Sequence, residues 1–223
     1  MDVYLEIGHS RVFAIAAGWP GWCRGGRSEA TALQALRSYA PRYARVMRAG
    51  RLSFPASALT ADFNVLGRVA GTATTDMGAP DVALPGDDRP VGEAELRRFQ
   101  RSLRACWRAL DAAAEAAAGQ ALSKGPRGGG RDLAEIVAHA RGADELYLGR
   151  LGGKPPANPP ADPAAAMALT RQTILDTLVL SAQGQLPARG PRGGLRWGPR
   201  YLVRRMAWHD LDHAWEIEDR AAA

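Results

Sequence analysis

The sequence predicts an α+β N-terminal domain followed by an all-α four-helix bundle. Two β-prone runs, a helix and a further strand-like run succeed one another before residue 73. Pro85-Gly86-Asp87-Asp88-Arg89-Pro90 is the best breaker-rich boundary in the chain. Beyond it, apolar residues recur at helical spacing in four segments separated by Gly- and Pro-rich connections. The expected domains are therefore 1–88 and 91–223.

The first elements read locally. Val3, Leu5 and Ile7 alternate with Tyr4 and Glu6, Gly8-His9-Ser10 signals a turn, and Val12 to Ala16 supplies a second β-prone run, so a hairpin is expected with His9 exposed at its tip. Residues 18–26 break regular structure around Trp19-Pro20-Gly21-Trp22-Cys23. Ser28 and Glu29 open a helix that runs to about Tyr39, where Pro41 kinks or ends it. Residues 62–72 read as a strand, and Thr74-Thr75-Asp76-Met77-Gly78-Ala79-Pro80 as the loop that ends it.

The second half follows the helical period. From Glu93 to Ala118, Leu96, Phe99, Leu103, Trp107, Leu110 and Ala114 recur at three and four. A Gly-rich connection at 123–131 leads to a helix capped by Asp132. Residues 152–160 form a semi-rigid connector, and Asp162-Pro163 opens a third helix through Met167, Ile174, Leu175, Leu178 and Val179. The Gly- and Arg-rich loops at 123–131 and 187–196 have the chemistry to hold an anion but match no phosphate-loop or dinucleotide pattern. Pro199 sits just inside the start of the last helix, which no Gly or Pro then interrupts.

Composition narrows the function classes. Apolar content of 46% suits a globular protein with a real core. No run approaches the roughly 20 apolar residues of a membrane helix, and Met1 to Glu6 lacks the start of a signal peptide. A cytoplasmic protein without membrane contact is expected, with Cys23 and Cys106 as reduced thiols. The formal net charge of +6 is dispersed: residues 1–90 carry 10 Arg against 8 acidic residues, and 91–223 carry 19 basic against 15 acidic. A nucleic-acid partner is not expected.

The chemistry lies in the last helix. His209 and His213 are four apart, so both imidazoles share one face, and Leu202 and Met206 place that face inward. Ile136, His139, Ala143 and Leu146 share a stripe on the earlier helix and bring a third imidazole inward. Three neutral imidazoles bind a divalent first-row metal and leave coordination positions open, as in a reactive site. Asp210, Asp212 and Glu216 are candidate acceptors for a ligand's second ring N–H, or else part of a solvated face with Arg204, Arg205 and Arg220. Trp208 and Trp215 read as packing. Asp210 stands where the zinc proteases of the HExxH type have Glu, which argues against proteolysis.

One histidine on an early helix, a long connection and a terminal helix with HxxxH among tryptophans resembles the DinB-like superfamily, which includes the mycothiol-dependent maleylpyruvate isomerases. The matching residues are Ile136-Val137-Ala138-His139 with Ala143-Asp144-Glu145, and Met206-Ala207-Trp208-His209-Asp210-Leu211-Asp212-His213. The resemblance covers about 91–223. It implies a DinB-like bundle holding zinc or nickel on His139, His209 and His213, a low-molecular-weight thiol such as mycothiol, and transfer or isomerisation on a small-molecule substrate; hydrolysis of an ester or amide is the other chemistry such a site permits. It also implies a homodimer paired through helices. In the N-terminal part, Trp19-Pro20-Gly21-Trp22-Cys23 and Arg27-Ser28-Glu29-Ala30 resemble the turn and helix start of HicB-like antitoxins. That implies the alternative: a non-enzymatic binding or regulatory protein acting through 1–88, with the bundle as scaffold or oligomerisation unit.

Overall fold

Strand β1 (Asp2–Ile7) pairs antiparallel with β2 (Val12–Ala16), Val3 opposite Ala16 and Ile7 opposite Val12, so the expected hairpin forms with its turn at Gly8–Ser10. These elements belong to a computed structural model that describes residues 1–60, 62–124 and 130–221. β3 (Cys23–Gly26) adds antiparallel to β2, and β4 (Asn64–Ala70) adds parallel to β1, giving the order β3-β2-β1-β4. A parallel neighbour requires a crossover. Helices α1 (Glu29–Ser38) and α2 (Ala40–Ala49) provide it.

Ser28 caps α1 as expected: its side chain accepts from the Thr31 N–H, and Thr31 closes the capping box. Pro41 does not end the helical region. The break falls at Tyr39, and Pro41 lies in the first turn of α2, where a missing N–H costs nothing. The stretch read as a loop at 74–80 is also corrected, because Ala73–Met77 is a short helix, α3, capped by Thr72 and stopped by Gly78 at φ 107°. Its support is remote: the Thr75 hydroxyl donates to the buried Glu6 carboxylate on β1.

Both faces of the sheet are covered. Val3, Leu5, Val12 and Ala14 join Trp22, Leu36, Tyr43 and Met47 in one apolar cluster, while Phe13, Ile15 and Cys23 pack on Leu84 and Trp208. Trp208 belongs to α7 (Pro199–Ala221), the last of four long helices after α4 (Glu93–Ala116), α5 (Leu133–Leu151) and α6 (Pro163–Ala182). α7 lies along α4, and α5 packs against both α6 and α7. The larger cluster continues without a break from the sheet and α2 through Phe99, Leu103 and Trp107 to Leu202, Met206 and Leu211.

The expected caps are present at Asp132 and Asp162, which accept from the Glu135 and Ala165 N–H groups. On α5 the inward stripe differs from the sequence reading. Its buried positions are Ile136, Ala140, Asp144, Tyr147, Leu148 and Leu151; Leu146 is 56% exposed, and His139 lies half-buried at the edge of the stripe. Asp144 lies on that stripe with its carboxyl in the core, so the buried positions follow a spacing of four from Ile136 through Ala140 to Asp144 and Leu148. Of the Gly-rich connection at 123–131, residues 125–129 lie outside the described residues. No described helix is long and apolar enough to cross a membrane.

The segment between the sheet and α4 is tied down at both sides. Glu6 accepts from the Asp81 and Val82 N–H groups. From α7, Tyr201 donates to the Asp81 carbonyl, Arg205 to that of Pro80, and Arg200 to Pro90 and Glu95, while Arg204 makes a two-pronged bond to Asp87. α7 is thereby fixed against the sheet over its first half.

Candidate metal centre

α7 is buried along most of its length, and this takes its HxxxH pair out of water: His209 is 7% and His213 9% exposed. α5 supplies His139 from across the groove. The ring centroids lie 5.1 Å apart for His139–His209, 4.9 Å for His139–His213 and 4.6 Å for His209–His213. The Nε2 atoms of His139 and His209 stand 3.3 Å apart, and one ligand nitrogen from each ring lies within 4.8 Å of the other two. Nitrogens bound tetrahedrally at 2.0–2.1 Å stand about 3.4 Å from one another. The spacing fits with small side-chain rotations.

The electrostatics keep the rings of His209 and His139 neutral. Burial, then the neighbouring imidazoles and the guanidinium groups of Arg205 and Arg131, push His209 down to about 2. Burial and then His213 lower His139. Adding a proton to His209 would put a cation beside two other rings and two arginines, so its nitrogen lone pairs remain available. His209 Nε2 faces His139, while its Nδ1 is buried without a hydrogen-bond partner among the described residues.

His213 has an oriented partner. Its Nδ1 lies 2.9 Å from Glu216 Oε2, and Glu216 Oε1 accepts from Arg220 Nη1 at 2.8 Å. The bond to His213 and that to Arg220 hold the Glu216 carboxyl below its usual range, against its partial burial. Arg220 is fixed in turn by donating to the carbonyls of Ser123 and Arg131. With Nδ1 engaged, Nε2 of His213 is the atom left to face a cation.

The other acidic candidates part ways. Asp212 pairs with Arg24 of β3 at 2.7 Å, and Asp210, which the sequence left among candidates for a solvated face, is fully buried with neither carboxylate oxygen bonded among the described residues. Trp208 and Trp215 are packing residues, as expected. His9 stays exposed at the hairpin turn, and Asp76 accepts from the backbone N–H groups of His9 and Ser10, so neither reaches the histidines. The 187–196 loop closes on itself through Gly190–Gly194 and Arg189–Gly193 bonds. Both cysteines are free and buried.

Sequence reasoning missed the aromatic wall. The Tyr147 ring lies 5.7 Å from His209, Trp197 packs on Tyr147 at 5.2 Å, and the Arg205 guanidinium lies over Tyr147 and Trp208. An aromatic two turns beyond His139 on α5 was the available signal.

All three histidines fall inside residues 102–217, which match the model of the DinB superfamily over more than half the chain. The chain belongs to the DinB superfamily. No curated protein and no solved structure matches it. In this DinB superfamily protein the fold and the three-histidine cluster together fit divalent-metal binding.

Proposed function

We propose that this protein holds one divalent cation, zinc or nickel, on His139, His209 and His213 and acts on a small-molecule substrate as a thiol-dependent transferase or isomerase, with a low-molecular-weight thiol such as mycothiol. The observation that carries this reading is the convergence of three imidazoles from two helices, one of them oriented through Glu216 and Arg220. When bound, such an ion lowers the pKa of a coordinated thiol or water and polarises a carbonyl oxygen. The chain's own residues supply the rest. Glu216 fixes the ring of His213, the burial of α7 keeps bulk water from His209, and Tyr147 with Trp197 forms an apolar wall beside it.

Within the same proposal, α4–α7 form a four-helix bundle of DinB type over 91–223. Residues 1–88 form a HicB-like domain that serves it as a buttress, since Phe13, Ile15 and Cys23 pack on Trp208 one residue from His209. The covering of both sheet faces speaks for this structural use over partner binding through the sheet.

Elemental analysis of untagged protein tests the reading. Wild type should carry about one equivalent of metal, as a single three-nitrogen site allows, and the His139, His209, His213 triple alanine variant none. Metal-loaded wild type should then conjugate a thiol to electrophilic substrates, and His213→Ala should not. No metal in wild type after incubation with several divalent ions would remove the basis for the enzyme.

A further inference from the structure

Arginines are dispersed along the chain, but the fold gathers several of them. α4 presents Arg101, Arg104 and Arg108 on one exposed stripe, because spacings of three and four stack on a helix. The end of α2 sets Arg51 beside them. These four residues, with Ala49 and Gly50, line a cavity of about 340 Å³.

The approach is built in. A Cβ on Gly50 would come within 2.7 Å of the Ala105 Cβ, so glycine lets α2 end directly on α4. Arg51 follows at φ 55°, the one non-glycine residue with positive φ among the described residues, where glycine would be the usual choice. Arg101 donates to the Arg51 carbonyl, which accounts for one cation at the negative end of α2. It does not account for the others. Among the described residues, Arg51, Arg101, Arg104 and Arg108 form no ion pair, whereas Arg42, Arg171, Arg200 and Arg204 each meet a carboxylate within 2.7 Å.

We infer that this arginine basket binds a compact polyphosphate anion, of the class of pyrophosphate or the phosphate end of a nucleotide, at a site sharing no lining residue with the histidine cluster. Guanidinium forks match phosphate oxygens in pairs, and four of them balance the charge of such an anion. The extent of the patch selects a compact ligand over a polymer. On the same stripe Glu93 pairs with Arg97 before the patch, and Asp111 and Glu115 follow it. Between them the uncompensated stretch from Arg101 to Arg108 spans about 10 Å at 1.5 Å per residue. A nucleic-acid strand laid along α4 would meet carboxylates at both ends, and no aromatic among the described residues lines the cavity to stack a base.

Titration calorimetry of the full-length protein with sodium pyrophosphate, at about 0.1 M chloride to screen loose surface attraction, tests this. Wild type should bind in a saturable one-site manner. The Arg104→Ala/Arg108→Ala variant should bind roughly a hundredfold more weakly, about tenfold for each lost charged hydrogen-bond donor. Its melting temperature should match wild type, since both side chains are exposed and unpaired. Arg27→Ala/Arg150→Ala, which removes two exposed arginines elsewhere, should bind as wild type does. Absence of saturation, or pyrophosphate binding unchanged in the Arg104/Arg108 variant, would overturn the inference. So would a short single-stranded oligonucleotide that binds more tightly than pyrophosphate and is lost in that variant.

Discussion

Asp144 is fully inside the helical core, and one of its carboxylate oxygens meets no donor among the described residues. Burial raises it to about 7, opposed by Arg171, and Asp210 on the facing helix is raised as well. Between its unfolded value near 3.9 and its folded value, the native state holds a proton that the unfolded chain has released. Stability from this group is therefore complete below about pH 4 and is lost as pH rises through about 7. Asp144→Asn removes the ionising group while keeping its shape. The variant should be more stable than wild type by on the order of 4 kcal/mol at pH 8, at about 1.4 kcal/mol per unit of pKa shift, with the gain shrinking towards pH 4. Denaturant midpoints at the two pH values measure it; an equal effect at both would mean that Asp144 titrates normally.

Helix α3 and the segment after it show how a polar stretch acquires structure from a distance. Thr74 to Pro80 has the composition of a loop, and nothing within it announces a helix. What organises it is Glu6, 69 residues upstream of Thr75, whose carboxylate accepts one hydroxyl and two backbone N–H bonds and so anchors residues 72–82 to β1. Charge-assisted bonds of this kind are stronger than neutral ones, and leaving their donors unmatched in a buried place is costly. Glu6→Gln preserves the side chain's volume but turns an amide N–H₂ towards donors. It should cost about 2–3 kcal/mol, read as a shift in urea midpoint without change in slope. A loss below about 0.5 kcal/mol, ordinary for a surface substitution, would show that the anchor does not matter.

The molecule as a whole was legible where its signals are local. The hairpin, the Ser28, Asp132 and Asp162 caps and the four helical periods all follow from residues a few positions apart, and so does the His209–His213 face. The meeting of His139 with that pair came from family resemblance as much as from pattern. What stayed hidden depends on pairings across 50 to 200 positions: Arg24 with Asp212, Tyr201 with the Asp81 carbonyl, the sheet on Trp208, and the gathering of Arg51 with α4. Those same long-range contacts bear on how the protein unfolds. Separate domains would melt separately if few contacts crossed between them. Here one apolar cluster includes Val3 and Leu5 of β1 and Leu202, Met206 and Leu211 of α7, and Arg42 of α2 pairs with Glu218 and Asp219 at the far end of α7. Splitting the two parts would expose Trp208 and Leu211 along with the sheet faces that cover them. Calorimetry should therefore give one endotherm whose calorimetric and van't Hoff enthalpies agree. A truncated chain of residues 91–223 should melt well below the full-length protein. Two resolved endotherms, or a truncated chain as stable as the whole, would show that the sheet is an attached module and not a buttress of the histidine helix.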